Sequence, residues 1–143
     1  MKETKKIFAV IDTNVLVSAL FSSDGSSNPA QVINAVLTGI ITPLYNAEII
    51  DEYRDVLLRP KFKFKPSLVD DLISVFTECG INSFRVQSEE EYFPDSDDIV
   101  FYEVAMSIDE AYLVTGNIKH FPSKHFVVTP SQMIEILTDQ SYC

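Results

Sequence analysis

Apolar residues along the chain fall into two patterns, short unbroken runs and longer stretches in which they recur every three or four positions. Ile7-Phe8-Ala9-Val10-Ile11 belongs to the first kind. It is rich in β-branched and aromatic residues and does not alternate, which predicts a strand buried on both faces. Residues 111–115, "AYLVT", read the same way, and further short strands are expected at 40–45, around Phe84 to Val86, and at Phe126 to Val128. The second pattern predicts helices. Thr13 to Phe21 is one, followed by a flexible "SSDGSS" loop at 22–27. Asn28 is expected to cap the next, with Pro29 at its first position, Gln31 reaching back and Gly39 closing it. Asn46 opens a helix whose stripe is Ile49, Ile50, Tyr53, Val56 and Leu57, stopped by Arg59-Pro60. Ser67 with Asp70 is expected to start another, carrying Leu68, Val69, Leu72, Ile73 and Phe76 and ending at Gly80. Asp98 to Ile108 presents Phe101, Val104, Ala105 and Ile108 on one face, and Thr129-Pro130-Ser131-Gln132 caps a final helix.

Buried strands alternating with helices predict an α/β fold with a mainly parallel sheet of four to five strands, covered on both faces as a three-layer α/β/α sandwich. No repeat or linker divides the sequence, so a single domain over 1–143 is expected, its core at about 7–137. Ligands of such sheets bind beyond the carboxyl ends of the strands. Asp12-Thr13-Asn14 stands at that position after the first predicted strand, and Gly116-Asn117 after the fourth.

Composition narrows the setting. Hydrophobic content of 46% with 22% charged residues is that of a soluble globular protein. No apolar run approaches the roughly 18–20 residues that span a bilayer. The run behind Lys2-Glu3-Thr4-Lys5-Lys6 is too short for a signal peptide, so no membrane association is expected. Cys79 and Cys143 alone do not suggest a disulfide framework, which points to a reducing, cytoplasmic interior. The net charge of −10 would argue against polyanionic partners, were the acids not clustered. Ser88 to Asp98 holds Glu89, Glu90, Glu91, Asp95, Asp97 and Asp98, which suits either a solvated loop or part of a cation site.

Three polar positions join Asp12. Glu52 lies at the edge of its helix's apolar stripe, where a plain boundary residue is equally in keeping. Asp98 aligns with the buried stripe of its own helix at the N-terminal turn, where an acid also suits the helix dipole. Asn117 sits in a Thr-Gly-Asn turn that favours Asn on conformational grounds alone. Together they fall around one end of the sheet. Clustered carboxylates stay ionised mainly when a cation offsets them, and an oxygen-only set suits Mg²⁺ or Mn²⁺ better than zinc. His120 and His125 lack zinc-ligand spacing, and the sequence has neither a glycine-rich phosphate loop nor a GxSxG nucleophile motif.

"VIDTNVLVSALFS", "EIIDEYRDVLLRPKF", "DSDDIVFYEVA" and "AYLVTGNIKHFP" resemble, in order, the successive motifs of the PIN domain, named for the PilT N-terminus. They are most similar to the branch formed by toxins of toxin–antitoxin systems. The resemblance spans roughly 7–137 and implies a Mg²⁺- or Mn²⁺-dependent ribonuclease. It implies Asp12, Glu52 and Asp98 as the metal-site acids, with Asn117 completing the catalytic set. Thr13 and Asn14 then belong to the first motif and Thr115 to the last, with Thr13, Asn14 and Thr115 as supporting residues that orient the carboxylates. Many relatives carry Asp where this chain has Asn117, and an amide brings no negative charge to a second cation. Asp95 is a further candidate through its loop.

An RNA substrate must approach an acidic protein, and "RPKFKFKP" offers the path. Arg59, Lys61, Lys63 and Lys65 interleave with Phe62 and Phe64, cations for phosphates and rings for bases. Phenylalanines tucked into the core would be the alternative. Lys119 and His120 stand near enough to Asn117 to meet a phosphate. The resemblance further implies a cognate antitoxin protein and a homodimer or higher homo-oligomer. Two other classes stay open: a non-catalytic PIN-like module binding RNA or protein, and a Mg²⁺-dependent receiver-like phosphotransfer domain.

Overall fold

The computed structural model describes residues 6–88 and 93–141. The N-terminal run through Lys5, the acids Glu89, Glu90 and Glu91, and Cys143 lie outside the described residues. Five strands, β1 (Ile7–Ile11), β2 (Ile41–Tyr45), β3 (Ile81–Asn82), β4 (Tyr112–Val114) and β5 (Val127–Val128), form a sheet in the order β3-β2-β1-β4-β5. Every pairing is parallel, with Ile7 opposite Ile41 and Ile11 opposite Val114. The helices are α1 (Thr13–Phe21), α2 (Asn28–Leu37), α3 (Ala47–Leu57), α4 (Pro66–Cys79), α5 (Ile99–Ala105) and α6 (Pro130–Ser141). α2 packs against α1 and α6, while α3 packs against α4 and α5. Ala9, Val10 and Ile11 are fully buried, as a central strand covered on both faces requires. The α/β sandwich expected from the apolar pattern is the observed fold.

Strand order decides where a ligand can sit. From β1 the chain runs outward to β2 and β3, then returns across to β4 on the other side of β1. The carboxyl ends of β1 and β4 therefore flank a topological switch point, the place where such sheets open a crevice. Asp12 leaves β1 there, its N–H donating to the Val114 carbonyl.

Several local expectations hold. Asn46 caps α3 by accepting from the Ile49 N–H, and Thr129 with Gln132 forms a reciprocal capping box on α6. Gly39 takes the left-handed conformation (φ 83°) just past α2. Others are corrected. Ser27, not Asn28, caps α2, accepting from the Ala30 N–H, while Gln31 reaches back to the Ser26 carbonyl. α4 starts at Pro66 behind Lys65 rather than at Ser67, because proline's fixed φ is ready for a first helical position. The strand expected around Phe84 to Val86 is instead β3 at Ile81–Asn82, since Phe84 is 66% exposed and the segment turns away to bond the Glu103 carbonyl through Val86. The helix expected from Asp98 to Ile108 covers only Ile99–Ala105, led by a 3-10 turn at Ser96–Asp98. No described helix is long and apolar enough to cross a membrane.

Gly80 ends α4 for a reason the helix-cap expectation did not contain. Its backbone is extended (φ −94°, ψ −174°), so no left-handed turn requires glycine. A Cβ there would instead overlap the carbonyl oxygens of Phe76 and Pro43. The end of α4 lies directly on β2, and Gly80→Ala is expected to cost about 1–3 kcal/mol, as overpacking does, measured by urea unfolding. Gly25→Ala, in open space but at φ 73°, is expected to cost about 1–2 kcal/mol, from the left-handed backbone alone.

Candidate functional site

Asp12 is 5% exposed. A carboxylate so placed needs hydrogen-bond donors, and each comes from an element fixed by the sheet. Thr115, the first residue after β4, donates its hydroxyl to Asp12 Oδ2 at 2.7 Å. Asn14, in the first turn of α1, donates from Nδ2 at 3.1 Å. Asn14 Oδ1 in turn accepts the Gly116 N–H, and Thr115 Oγ1 accepts the Asn117 N–H. One network thus fastens the β1–α1 junction to the turn after β4. Burial is the larger influence, so the Asp12 carboxyl is pushed above its usual range despite donors from Thr115, the Thr13 backbone and Asn14.

Glu52 and Asp98 approach from the other side. Glu52 is half-buried on α3, and the next residue, Tyr53, is wholly buried with its hydroxyl donating to the Ile11 carbonyl, one residue before Asp12. The Tyr53 ring packs edge-on to Phe76 and beside Phe101, so α3 cannot shift without breaking the core. Asp98 is placed by the 3-10 turn before α5, which Asp95 caps by accepting the Asp97 N–H. Asp95 therefore serves the turn. His120 brings Nδ1 to 3.5 Å from Asp98 Oδ2, an ion-pair distance without hydrogen-bond alignment.

Desolvation first, and then the charges of Asp12 and Asp95, push the Asp98 carboxyl up to about 6, with His120 opposing. Glu52 is raised by burial and by Asp97, with Asp12 adding to it. Asp12 acts on both of the other carboxylates, but among the described residues no three His, Cys, Asp or Glu side chains stand in closed coordinating geometry. A small hard cation does not ask for one. Mg²⁺ is held by one or two carboxylates plus water and substrate phosphates, not by an all-protein cage. Asp98 Oδ2 is a buried carboxylate oxygen with no hydrogen-bond partner, and Thr13 Oγ1, next to Asp12 in sequence, is a second buried oxygen without one. An oxygen-only set with such an orphan suits a divalent cation of that kind.

A family model described as PIN domain matches residues 9–119, more than three quarters of the chain, and includes Asp12, Glu52, Asp98 and Asn117. The chain belongs to the PIN domain family. No curated protein and no solved structure matches it. PIN domains are generally nucleases that use divalent metal ions.

Within this PIN domain, Asn117 is exposed and meets the network through its backbone N–H rather than its amide, so the Asp-to-Asn departure leaves the bonds to Asp12 intact. Lys119 is exposed in the turn that follows. Arg59 is tied to Asp55 at 3.4 Å, Lys61 lies over the Phe62 ring, Lys63 adopts a left-handed backbone, and Lys65 precedes α4. None of these basic residues is near Asp12 by any hydrogen bond or ion pair among the described residues.

One network escaped the sequence. Arg85 donates Nε to Glu103 Oε1 at 2.7 Å and Nη1 to both carboxylate oxygens of Glu48. Glu103 also accepts the Ser88 N–H and has a side chain only 9% exposed. Arg85 so joins α3, which carries Glu52, to α5, which Asp98 precedes, beside a cleft of about 190 Å³ that includes Glu52 and Asp97. A Glu amid the apolar run Val100 to Ala105 was the available signal.

Two outcomes are expected. Asp98 holds its proton in the folded chain at pH values where the unfolded chain, with its carboxyl near 3.8, has released it. Its contribution to stability is full below the unfolded value and is lost as pH rises through about 6. Asp98→Asn should therefore raise the melting temperature of the metal-free protein at pH 7.5, by about 2–4 °C for ~1 kcal/mol after solvent screening, and leave it unchanged at pH 4. Arg85→Met should cost about 3 kcal/mol in urea unfolding by stranding the Glu103 charge, and Glu103→Gln in the same chain should recover at least half.

Proposed function

We propose that the protein is a Mg²⁺- or Mn²⁺-dependent ribonuclease whose metal is held by Asp12 and Asp98, with Glu52 completing the site. The observation that carries this reading is the buried Asp98 Oδ2 near the switch point of the sheet, which accepts no hydrogen bond, has only His120 Nδ1 at 3.5 Å, and feels the charge of the buried Asp12. Carboxylates so crowded destabilise the fold unless a cation offsets them, an arrangement expected of a functional site. Asp12 and Asp98 would hold the cation, which when bound would supply a water of lowered pKa and offset charge on the phosphoryl group. Thr115 and Asn14 hold Asp12 in one orientation, and Glu52, lining its cleft, would help to hold the cation or orient the attacking water. Asn117 steadies Thr115 through its backbone.

The motif likeness to toxins of toxin–antitoxin systems supports a narrower reading: a cytoplasmic toxin that self-associates and is restrained by an antitoxin protein. A non-catalytic PIN-like module is the competing reading, and the test separates them. With Mn²⁺ the protein should cleave RNA and, at saturation, gain roughly 2–3 kcal/mol of stability ([L] near 100 Kd). EDTA should remove both. Asp12→Asn and Asp98→Asn should each lower cleavage at least about 100-fold, and Thr115→Val about 10–100-fold. RNA binding without cleavage under any divalent metal would establish the module instead.

A further inference from the structure

We propose that Phe21, Phe62 and Phe64 form a stacking platform for the bases of a single-stranded RNA, held by phosphate contacts from Lys61, Lys63 and Lys65. The choice of RNA as the strand rests on the ribonuclease reading; the platform itself rests on the rings and their surroundings.

Phe62 and Phe64 lie nearly parallel, 16° apart with centroids 5.5 Å apart, and Phe21 from the end of α1 leans on both at 5.7 and 5.0 Å. Phe64 rests against the core, whereas Phe21 and Phe62 do not belong to it, and Phe21 is 58% exposed. Three aromatic rings thus meet at the surface with one of them anchored. Between Phe62 and Phe64 the backbone turns through Lys63 at φ 59°, a conformation that costs a non-glycine residue about 1 kcal/mol. The segment keeps a charged side chain at a position where glycine would be unstrained.

Charge selects the occupant. Of the eleven Lys and Arg residues in a chain of net charge −10, four lie between 59 and 65. Arg59 is taken by Asp55, and Asp51 and Asp55 line the neighbouring open cleft with Arg54 and Arg59. Lys61, Lys63 and Lys65 are exposed and have no acidic partner among the described residues. Lys61 Nζ already sits 5.1 Å from the Phe62 centroid. Cations over and around aromatic faces match a strand that alternates phosphates with bases. A second copy of this chain matches it poorly, because a two-fold contact would set the lysines against their own images. α1 starts just after Asp12 and ends at Phe21, a rise of about 13 Å, and α3 carries Glu52 about two turns before Arg59. A strand that continues from the rings back along α1 would reach Asp12 at the start of that helix.

Fluorescence anisotropy with a short labelled single-stranded RNA, and with a blunt duplex of the same sequence, tests this in EDTA. Phe62→Leu keeps apolar bulk and removes the ring face, and is expected to weaken single-strand binding about ten-fold while leaving duplex binding unchanged. Phe21→Ser should do the same without touching the core. Lys61→Gln with Lys63→Gln should reduce the slope of log K against log salt by about 1.4. Unchanged single-strand affinity in both ring variants, with melting temperatures intact, would overturn the proposal. So would a change of sedimentation to a smaller species at unchanged RNA affinity, which would give the patch to a second copy. Chelation keeps cleavage out of the readout. A protein that binds through these rings but never cleaves keeps the platform and loses the nuclease, and one that cleaves with inert rings does the reverse.

Discussion

The hydrogen bond from Thr115 to Asp12 is the contact on which the rest of the candidate site depends. A carboxylate removed from water needs donors on the spot, and this one draws them from two loops more than a hundred residues apart in sequence. That is possible only because β1 and β4 are neighbours, with Ile11 opposite Val114. A sheet ordered consecutively would leave Thr115 remote from Asp12. Asn14 makes the junction two-ended, giving Nδ2 to Asp12 and taking the Gly116 N–H on Oδ1. Removing the donors would leave a buried charge without partners, a larger penalty than the net worth of any one of these bonds.

Stability and chemistry pull against each other here. Burial raises all three acids, and the charge of Asp12 adds to it at Asp98 and Glu52. The fold absorbs that strain by bracing the elements that carry them. Tyr53 locks α3 to the end of β1, and Arg85 ties α3 to α5 from the outside. Those braces lie one residue from Glu52 on the inner face and one helical turn from it, at Glu48, on the outer. They limit how far Glu52 and Asp98 can move away from Asp12, whose charge raises both, which keeps the negative charge concentrated where a cation would be most strongly bound.

Much of this was legible in the chain, and what was not has a physical cause. Ile7 to Ile11 announced a central strand because five consecutive apolar residues can only be satisfied by cover on both faces. Asn46 and the Thr129–Gln132 box announced helix starts because capping is local chemistry. Phe84 misled, since a β-former's propensity is decided by what it packs on, and here it packs on solvent. The placements of Arg85 and His120 were invisible because each answers an acid from a distant segment, Glu48 and Glu103 for one and Asp98 for the other. Position along the sheet could be inferred for Asp12 and Asp98, but pairings across helices are settled only in three dimensions. Asn117 shows the converse: its residue type invited attention, yet its link to the network is a backbone N–H that any residue but proline supplies.

The acidic total of the chain also looks different once its charges are located. Net charge sets long-range repulsion from a polyanion, but screening confines that effect to about 10 Å at ordinary salt. Within that range the relevant charges are local. The lysines of 61–65 face solvent at one end of α1, and the acids whose carboxyls burial has raised sit at the other. A raised carboxyl carries less of its charge, and a cation among the acids would reverse the field there. A strand approaching from the lysine end would thus meet a potential that falls in severity toward the acids only after the cation has arrived. On the proposed ribonuclease reading, metal first and polyanion second is the order that this charge distribution favours, with the same three carboxylates a barrier to an RNA strand until a cation offsets them.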